Sequence, residues 1–431
     1  MSYELMMNVL LIEINPFSPE SIPISIGYIG AFLKRNGFNV KILNIGENVS
    51  LSKNDLSNFI LEFKPRLVGL STYQRNILYV LAISKFIKAI DHKIKIILGG
   101  PQTTFMPAVA LKYMPVDYIC RGEGEFTILS IAQAIGEGNP FSKIMGASYK
   151  VDGEIFDNKP ANFYEELDLY PSPHLDDMFD YKNVKEAILL TSRGCPFNCI
   201  FCYTPHASHH KIRFHSIERV MDEIKWLVKR GINHLWFADP NFSFDISRVH
   251  DLLDKIIKND LKVHMWVETR ADLMDKELAE KMKMAGVHTV AYGLESASER
   301  ILKAINKRIS LKKLEEAISL IQRHDMDVEL FSLFGLPGET IEDALKTIRF
   351  VEGHNVKIKG NSNAQQMQLY FGSTITNNYS EYGIHPLKEE RPPYLSIGDR
   401  YQTDTMSYKE ILKIKAIWRR RSLDKGKRIV S

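Results

Sequence analysis

Cys195, Cys199 and Cys202 stand together in the stretch TSRGCPFNCIFCY, residues 191–203, and make up three of the four cysteines of a 431-residue chain. Spacing of this kind lets one loop present three thiolates to a single compact centre. A structural zinc site asks for four closed ligands, usually from two separated pairs. No second pair exists here, and the fourth cysteine, Cys120, lies far upstream. An iron–sulfur cube held by three thiolates leaves one iron open, and an open metal position is where a substrate group docks. His206, His209 and His210 are the one local source of a fourth ligand; the same patch also fits a solvated loop or the lining of a substrate entrance. Four cysteines with three clustered do not make a disulfide framework, so a reducing cytoplasm is the expected setting.

The elements that must carry this loop show in the apolar pattern. The chain is 45% hydrophobic and 25% charged, with a net charge of +4, a balance that argues for packed cores and against nucleic acid. No run approaches the roughly 18 apolar residues of a membrane span, and the first apolar run reads as a buried strand rather than a secretory signal. In residues 1–140, apolar stretches at 9–13, 40–43, 66–70, 95–98 and 117–120 alternate with amphipathic stretches. This alternation predicts a doubly wound parallel sheet, with its ligand beyond the carboxyl ends of the strands. Ser71 and Thr72, Gly99-Gly100-Pro101, and Arg121-Gly122-Glu123 fall at those ends. Cys120 reads as a core residue, and Glu123 and Glu125 also suit the start of a helix.

Residues 141–185 are read as a hairpin turning at Asp152-Gly153 and a Pro-rich acidic linker. A second alternation follows over 186–375. Strands are expected at 187–191, 234–238, 264–268, 289–293, 328–334 and 366–370, with helices over 216–230 and 340–351. Six such units predict a partial (β/α) barrel, with the cysteine loop at the mouth where its strands end. Residues 376–431 form a small, mostly helical C-terminal region.

CPFNCIFCY has the CxxxCxxC form of the radical S-adenosylmethionine (SAM) enzymes, with the aromatic Phe201 before the last cysteine. Further segments resemble that family in order: FADPNF (237–242), ETRADL (268–273), YGLESAS (292–298) and FGLPGET (334–340). The resemblance implies a [4Fe–4S] cluster on Cys195, Cys199 and Cys202, whose open iron takes the amino and carboxylate groups of SAM. It implies SAM contacts from Phe201, from Asp239 and Asn241 toward the methionine amine, and from Arg270 toward the carboxylate. Glu295 and Ser296 would supply further polar contacts, and the turn of Gly335, Leu336 and Pro337 would meet the adenine.

The first domain resembles the cobalamin-binding domain of the cobalamin-dependent members of that family, through SIGYIGAFLKRNGFNVKIL, VGLSTYQ, ILGGPQTTFMP and VDYICRGEGEFTI. The resemblance implies a pocket for the nucleotide tail of cobalamin formed by Ser71, Thr72, Gly99, Gly100, Pro101, Gly122 and Glu123, with the loop 15–25 approaching the corrin. The chain lacks the Asp-x-His-x-x-Gly motif that ligates cobalt, and His92 reads as solvated. The expected activity is that of a C-methyltransferase. SAM cleavage yields a 5′-deoxyadenosyl radical that takes hydrogen from an unactivated carbon, methylcobalamin delivers the methyl group, and a second SAM restores it. Cyclisation or rearrangement without methyl transfer is the alternative, and a cobalamin- or redox-sensing binding protein is the reading outside enzymes. A small-molecule substrate and a low-potential donor such as ferredoxin or flavodoxin are the implied partners, and Tyr370 and Phe371 are the candidate substrate-pocket residues.

Overall fold

Two compact units divide the chain, one of Met1–Ala187 with Pro392–Leu395, the other of Ile188–Arg391 with Ser396–Ser431. The computed structural model describes residues 7–15, 22–46, 52–140, 143–161, 163–356 and 364–424. Most of the expected corrin-facing loop, 16–21, lies outside them. Among the described residues, no helix is long and apolar enough to cross a membrane.

In the first unit, β1 (Asn8–Asn15), β2 (Asn39–Gly46), β3 (Leu67–Ser71), β4 (Lys95–Gly99) and β5 (Tyr118–Cys120) pair in parallel in the order β2-β1-β3-β4-β5. Val9 to Ile12 and all of β3 are buried, the continuous apolar run that a sheet covered on both faces requires. The chain moves one way from β1 to β2 and the other way to β3. The β1/β3 junction is therefore the switch point, the place where open α/β sheets take their ligands. The expected hairpin forms, with β6 (Ala147–Val151) and β7 (Glu154–Asp157) antiparallel across the Asp152-Gly153 turn. It is not set apart from the sheet: β6 pairs antiparallel with β5 and extends it to seven strands. Cys120 is buried in this core.

The second unit is a curled six-stranded sheet in the order β15-β14-β13-β12-β11-β8. Its strands are β8 (Glu186–Leu189), β11 (His234–Phe237), β12 (His264–Thr269), β13 (Val287–Glu295), β14 (Asp327–Phe334) and β15 (Ala364–Gln366). A short antiparallel ribbon, β9 (Ser192–Arg193) and β10 (Arg213–Phe214), follows β8. Leu235, Phe237, Met265, Val267, Val290, Leu294, Leu330 and Phe334 are all buried. Alternate residues of the same strands, Trp236, Trp266, Glu268, Ala291, Glu329 and Phe331, stand in register on the other face. Helices start where polar caps stop the chain: Ser216 accepts from the Arg219 amide at helix Ile217–Lys229, and Thr340 forms a capping box with Asp343 at helix Ile341–Gly353.

The expected strand 366–370 ends at Gln366 instead. The Met367 amide still donates to the Phe334 carbonyl, but Leu369 bridges to Gly398, and both side chains enter an apolar cluster with Ile375 and Tyr401. The C-terminal region holds an antiparallel ribbon, β16 (Ile384–Pro386) with β17 (Tyr401–Thr403), before the helix Tyr408–Asp424.

Candidate active site

The β9–β10 ribbon closes the neck of a loop, 194–212, that carries all three clustered cysteines. Gly194 sits at that neck with φ +94°, where an added Cβ would strike the Lys211 carbonyl and come within 2.7 Å of Ser208 Cβ. The Ser208 hydroxyl accepts from the Cys195 amide at 3.2 Å, and the Cys202 amide donates to the Cys199 carbonyl at 3.1 Å. Burial raises all three thiols above their ordinary range, Cys199 to about 11, and the Lys307 charge opposes that rise at each of them. Among the described residues no three His, Cys, Asp or Glu side chains already stand as a metal-ligand group. The donor set still suits an iron–sulfur centre: three thiols on one loop feel one another's charge, with a buried cation close enough to stabilise their thiolates. His206 does not face them; its Nε2 meets Thr374 Oγ1 at 2.9 Å.

Several expected SAM contacts have other work. The Asp239 carboxylate is buried and accepts from the Thr191 and Ser192 amides at 2.8 and 2.7 Å and from their hydroxyls at 2.7 and 2.9 Å. It latches the chain leaving β8 to the end of β11, with Oδ1 taking three of the four bonds. Arg270 donates Nε and Nη2 to Asp272 at 3.0 and 2.9 Å. It also donates Nη1 and Nη2 to the Lys307 and Arg308 carbonyls at 3.2 and 2.9 Å. Its guanidinium lies 4.2 Å from the centre of the Phe197 ring, between the first two cysteines. Arg270 therefore clamps the cysteine loop to 307–308 rather than presenting an open fork. The Ser296 hydroxyl meets Thr347 Oγ1 at 3.4 Å and accepts from the Ser298 amide. Asn241 does keep an open group: its Oδ1 accepts from Thr269 and the Arg270 amide, while its buried Nδ2 has no partner.

A cavity of about 320 Å³ lies at this mouth, lined by Phe201, Cys202, Glu268, Glu295, Ser332 and Tyr370 among others. Phe371 is not among its lining residues. Glu295 has φ +58° where the β13–β14 register shifts, and its carboxylate accepts from Lys307 Nζ at 2.9 Å. The Lys307 and Glu295 side chains are 14% and 8% exposed, so their ion pair is largely out of water. Burial raises Glu268 to about 7, with Lys307 pulling it down and Glu295 and Glu329 pushing it up. The turn after β14 is wired internally. The buried Glu339 accepts from the Gly335 and Leu336 amides at 2.6 and 3.2 Å, and the Tyr401 hydroxyl donates to the Gly335 carbonyl at 3.0 Å. These groups fix the shape of the Gly335-Leu336-Pro337 turn and occupy the Gly335 and Leu336 amides.

Lys307, Glu268 and Glu339 were beyond the motifs by themselves. Glu268 and Glu339 sit inside ETRADL and FGLPGET, but nothing in their spacing shows which way they point. Lys307 follows an unremarkable helix end.

In the first unit the expected residues stand at the carboxyl ends of β3, β4 and β5. The Ser71 hydroxyl donates to Glu13, a carboxyl inside the apolar strand β1 that burial raises to about 7. The Thr72 hydroxyl donates to the Gly99 carbonyl at 2.6 Å and meets Thr103 Oγ1 at 2.7 Å. Gly100, at φ +99°, leaves no room for a Cβ, which would come 2.6 Å from the Thr72 carbonyl oxygen. Pro101 opens the turn Pro101–Thr104, and Glu123 accepts from the Tyr170 hydroxyl at 3.1 Å. The hydroxyls and Glu123 thus hold the protein to itself. What faces outward is bare backbone: a Cβ added at Gly122 would meet nothing within 4 Å. A cradle free of side chains at the strand ends fits a bulky nucleotide tail. His92, exposed ahead of β4, and His174, buried against Tyr181, are the histidines of 1–187, and neither is at those ends.

Sequence comparison matches the radical SAM superfamily over residues 189–351 and the B12 binding domain over residues 14–132. An uncharacterized methyltransferase of Pyrococcus horikoshii is 30% identical over 337 residues, 77% of this chain and 73% of that one. The anaerobic magnesium-protoporphyrin IX monomethyl ester cyclase of Rubrivivax gelatinosus is 28% identical, over 77% of this chain and 62% of its own. Among solved structures, the radical SAM methyltransferase TsrM of Kitasatospora setae superposes with a TM-score of 0.82 over 99% of this chain and 91% of that one, at 18% identity. The chain belongs to the cobalamin-dependent radical SAM enzymes. A [4Fe–4S] cluster, SAM and cobalamin are the cofactors its sites have to fit.

Proposed function

We infer that this enzyme methylates an unactivated carbon of a small molecule, in a cytoplasmic setting and with a low-potential ferredoxin or flavodoxin as electron donor. The observation that carries the reading is the cavity at the barrel mouth, where Cys202 and Glu295 share one wall system with Glu268 and Tyr370. The 30% identity to a methyltransferase supports the reaction type. When bound, the cluster supplies the electron that cleaves SAM, and cobalamin carries the methyl group to the substrate.

The residues of the chain do the positioning. Cys195, Cys199 and Cys202 hold the cluster, and Arg270 and Asp239 fix the loop that presents them. The Asn241 amide, unpartnered in its buried position, is the donor offered to SAM, and the Glu295–Lys307 pair offers both signs of charge to its zwitterionic end. Phe201 lines the same cavity. At the strand ends of the first unit, Gly122 leaves the backbone bare where the cobalamin tail would lie, and Gly100 lets the turn after β4 pack on Thr72 beside it. Anaerobic reconstitution with cobalamin, SAM and a reductant tests the reading. Both 5′-deoxyadenosine and S-adenosylhomocysteine form if methyl transfer occurs, whereas a cyclase gives the first alone. Cys199→Ala abolishes cluster and SAM cleavage while cobalamin stays bound; cleavage that survives the change refutes the assignment.

A further inference from the structure

Charge in the barrel-mouth cavity does not balance. Two carboxylates, Glu268 and Glu295, line it with no Lys or Arg beside them, and Lys307, which pairs with Glu295 at 2.9 Å, is not among the lining residues. Glu329, in register with Ala291 and so two strands over from Glu268, accepts from the Trp266 indole at 2.9 Å. The Glu268 side chain lines the cavity with no hydrogen bond or ion pair. A second observation comes from the opposite strand. Ser332 also lines the cavity, is 2% exposed, and its Oγ has no partner. The Glu268 carboxyl, half-buried, is open to the cavity, and the orphaned Ser332 hydroxyl costs about 1–3 kcal/mol. Two such groups from β12 and β14 meet in one cavity, which is the arrangement a polar ligand group completes. The remaining wall is aromatic: Phe201, Tyr203, Phe331 and Tyr370 line it, with the Tyr203 and Tyr370 rings edge to face at 6.1 Å. Faces of that kind favour a flat apolar body and a neighbouring positive charge.

We propose that this cavity selects substrates with an aromatic body and a cationic nitrogen, and that Glu268 is the residue that determines the selection, its carboxylate pairing with the ammonium group while the Ser332 hydroxyl accepts a second N–H. The proposal deepens the reading of this mouth as the reaction site, and it is tested without any SAM cleavage, so its failure is separate from a failure of that reading. Tryptamine and indole-3-propionate share a body and differ in the sign of their charge. Their binding to the full reconstituted chain is measured anaerobically by calorimetry, with no SAM and no reductant. Tryptamine is expected to bind at least about tenfold tighter than indole-3-propionate, the scale of one charge-assisted hydrogen bond. Glu268→Gln is expected to erase that preference, and Ser332→Ala to weaken tryptamine several-fold. The iron–sulfur absorbance of each variant reports that the mouth is still folded. Failure of tryptamine to bind the unaltered protein, equal binding of the two probes, or a preference that survives Glu268→Gln overturns the proposal. Competitive loss of tryptamine on adding SAM also overturns it, because the carboxylate would then belong to the SAM site.

Discussion

Glu339 offers a measurement of how the turn after β14 is held. Its side chain is fully buried; one oxygen accepts from the Gly335 and Leu336 amides and the other, Oε1, has no partner. Burial raises the acid from its ordinary value to about 8, against the lowering effect of the two amides. The folded protein therefore holds a proton there that the unfolded chain releases near pH 4.5. The stability linked to that proton is complete below the unfolded value and is lost as pH rises through the folded one. Each pH unit in the window is worth about 1.4 kcal/mol, so between pH 5 and pH 8 the loss reaches about 4 kcal/mol. Glu339→Gln keeps a carbonyl for both amides and removes the titration. Other buried acids, Glu268 among them, titrate alike in both proteins and cancel in the difference. All four tryptophans, Trp226, Trp236, Trp266 and Trp418, lie in the second unit, so urea unfolding followed by tryptophan fluorescence reports that unit alone. The Gln variant should gain on the unaltered protein steadily from pH 5 to pH 8. Parallel pH profiles for the two proteins would refute the reasoning, and Glu339→Ala, which strands both amides, should lose about 1–3 kcal/mol per amide at every pH.

Gly100→Ala forces a Cβ against the Thr72 carbonyl at a left-handed φ; it should cost about 1–3 kcal/mol and lower cobalamin per chain, read from corrin absorbance, while iron content holds. Lys307→Met leaves Glu295 largely buried without its cation. A loss of up to about 3–5 kcal/mol is expected in the tryptophan-monitored transition, with less iron retained per chain, and adding Glu295→Gln should restore stability but not SAM cleavage.

Strands and helices were legible because burial imposes a period on the sequence, as in the continuous apolar runs of β1 and β3. The cysteine loop was legible because three ligands for one centre have to lie close along the chain. The limits are equally physical. Asp239 and Arg270 match the family pattern in type and place, yet a motif records which residue occupies a position and not which partners its side chain reaches. Asp239 meets Thr191 and Ser192 across the sheet, and Arg270 reaches the carbonyls of Lys307 and Arg308; both contacts are long-range and invisible to spacing. Gln366 ends a strand whose apolar pattern runs on through Met367 and Leu369, because those two side chains enter a cluster with Ile384 and Tyr401 of the C-terminal ribbon. The Glu13–Ser71 pair had one sign in the sequence, a lone acid within VLLIEIN, and no indication of its partner.

The clamp by Arg270 sets an order of events during synthesis. The cysteines leave the ribosome first, on a loop whose neck needs β10, whose latch needs Asp239 after β11, and whose Phe197 is covered by a guanidinium anchored on the carbonyls of Lys307 and Arg308. Until 307–308 has been made, the three thiols ride on an unbraced excursion. A chain truncated before Lys307 would display the thiols without the frame that gathers them.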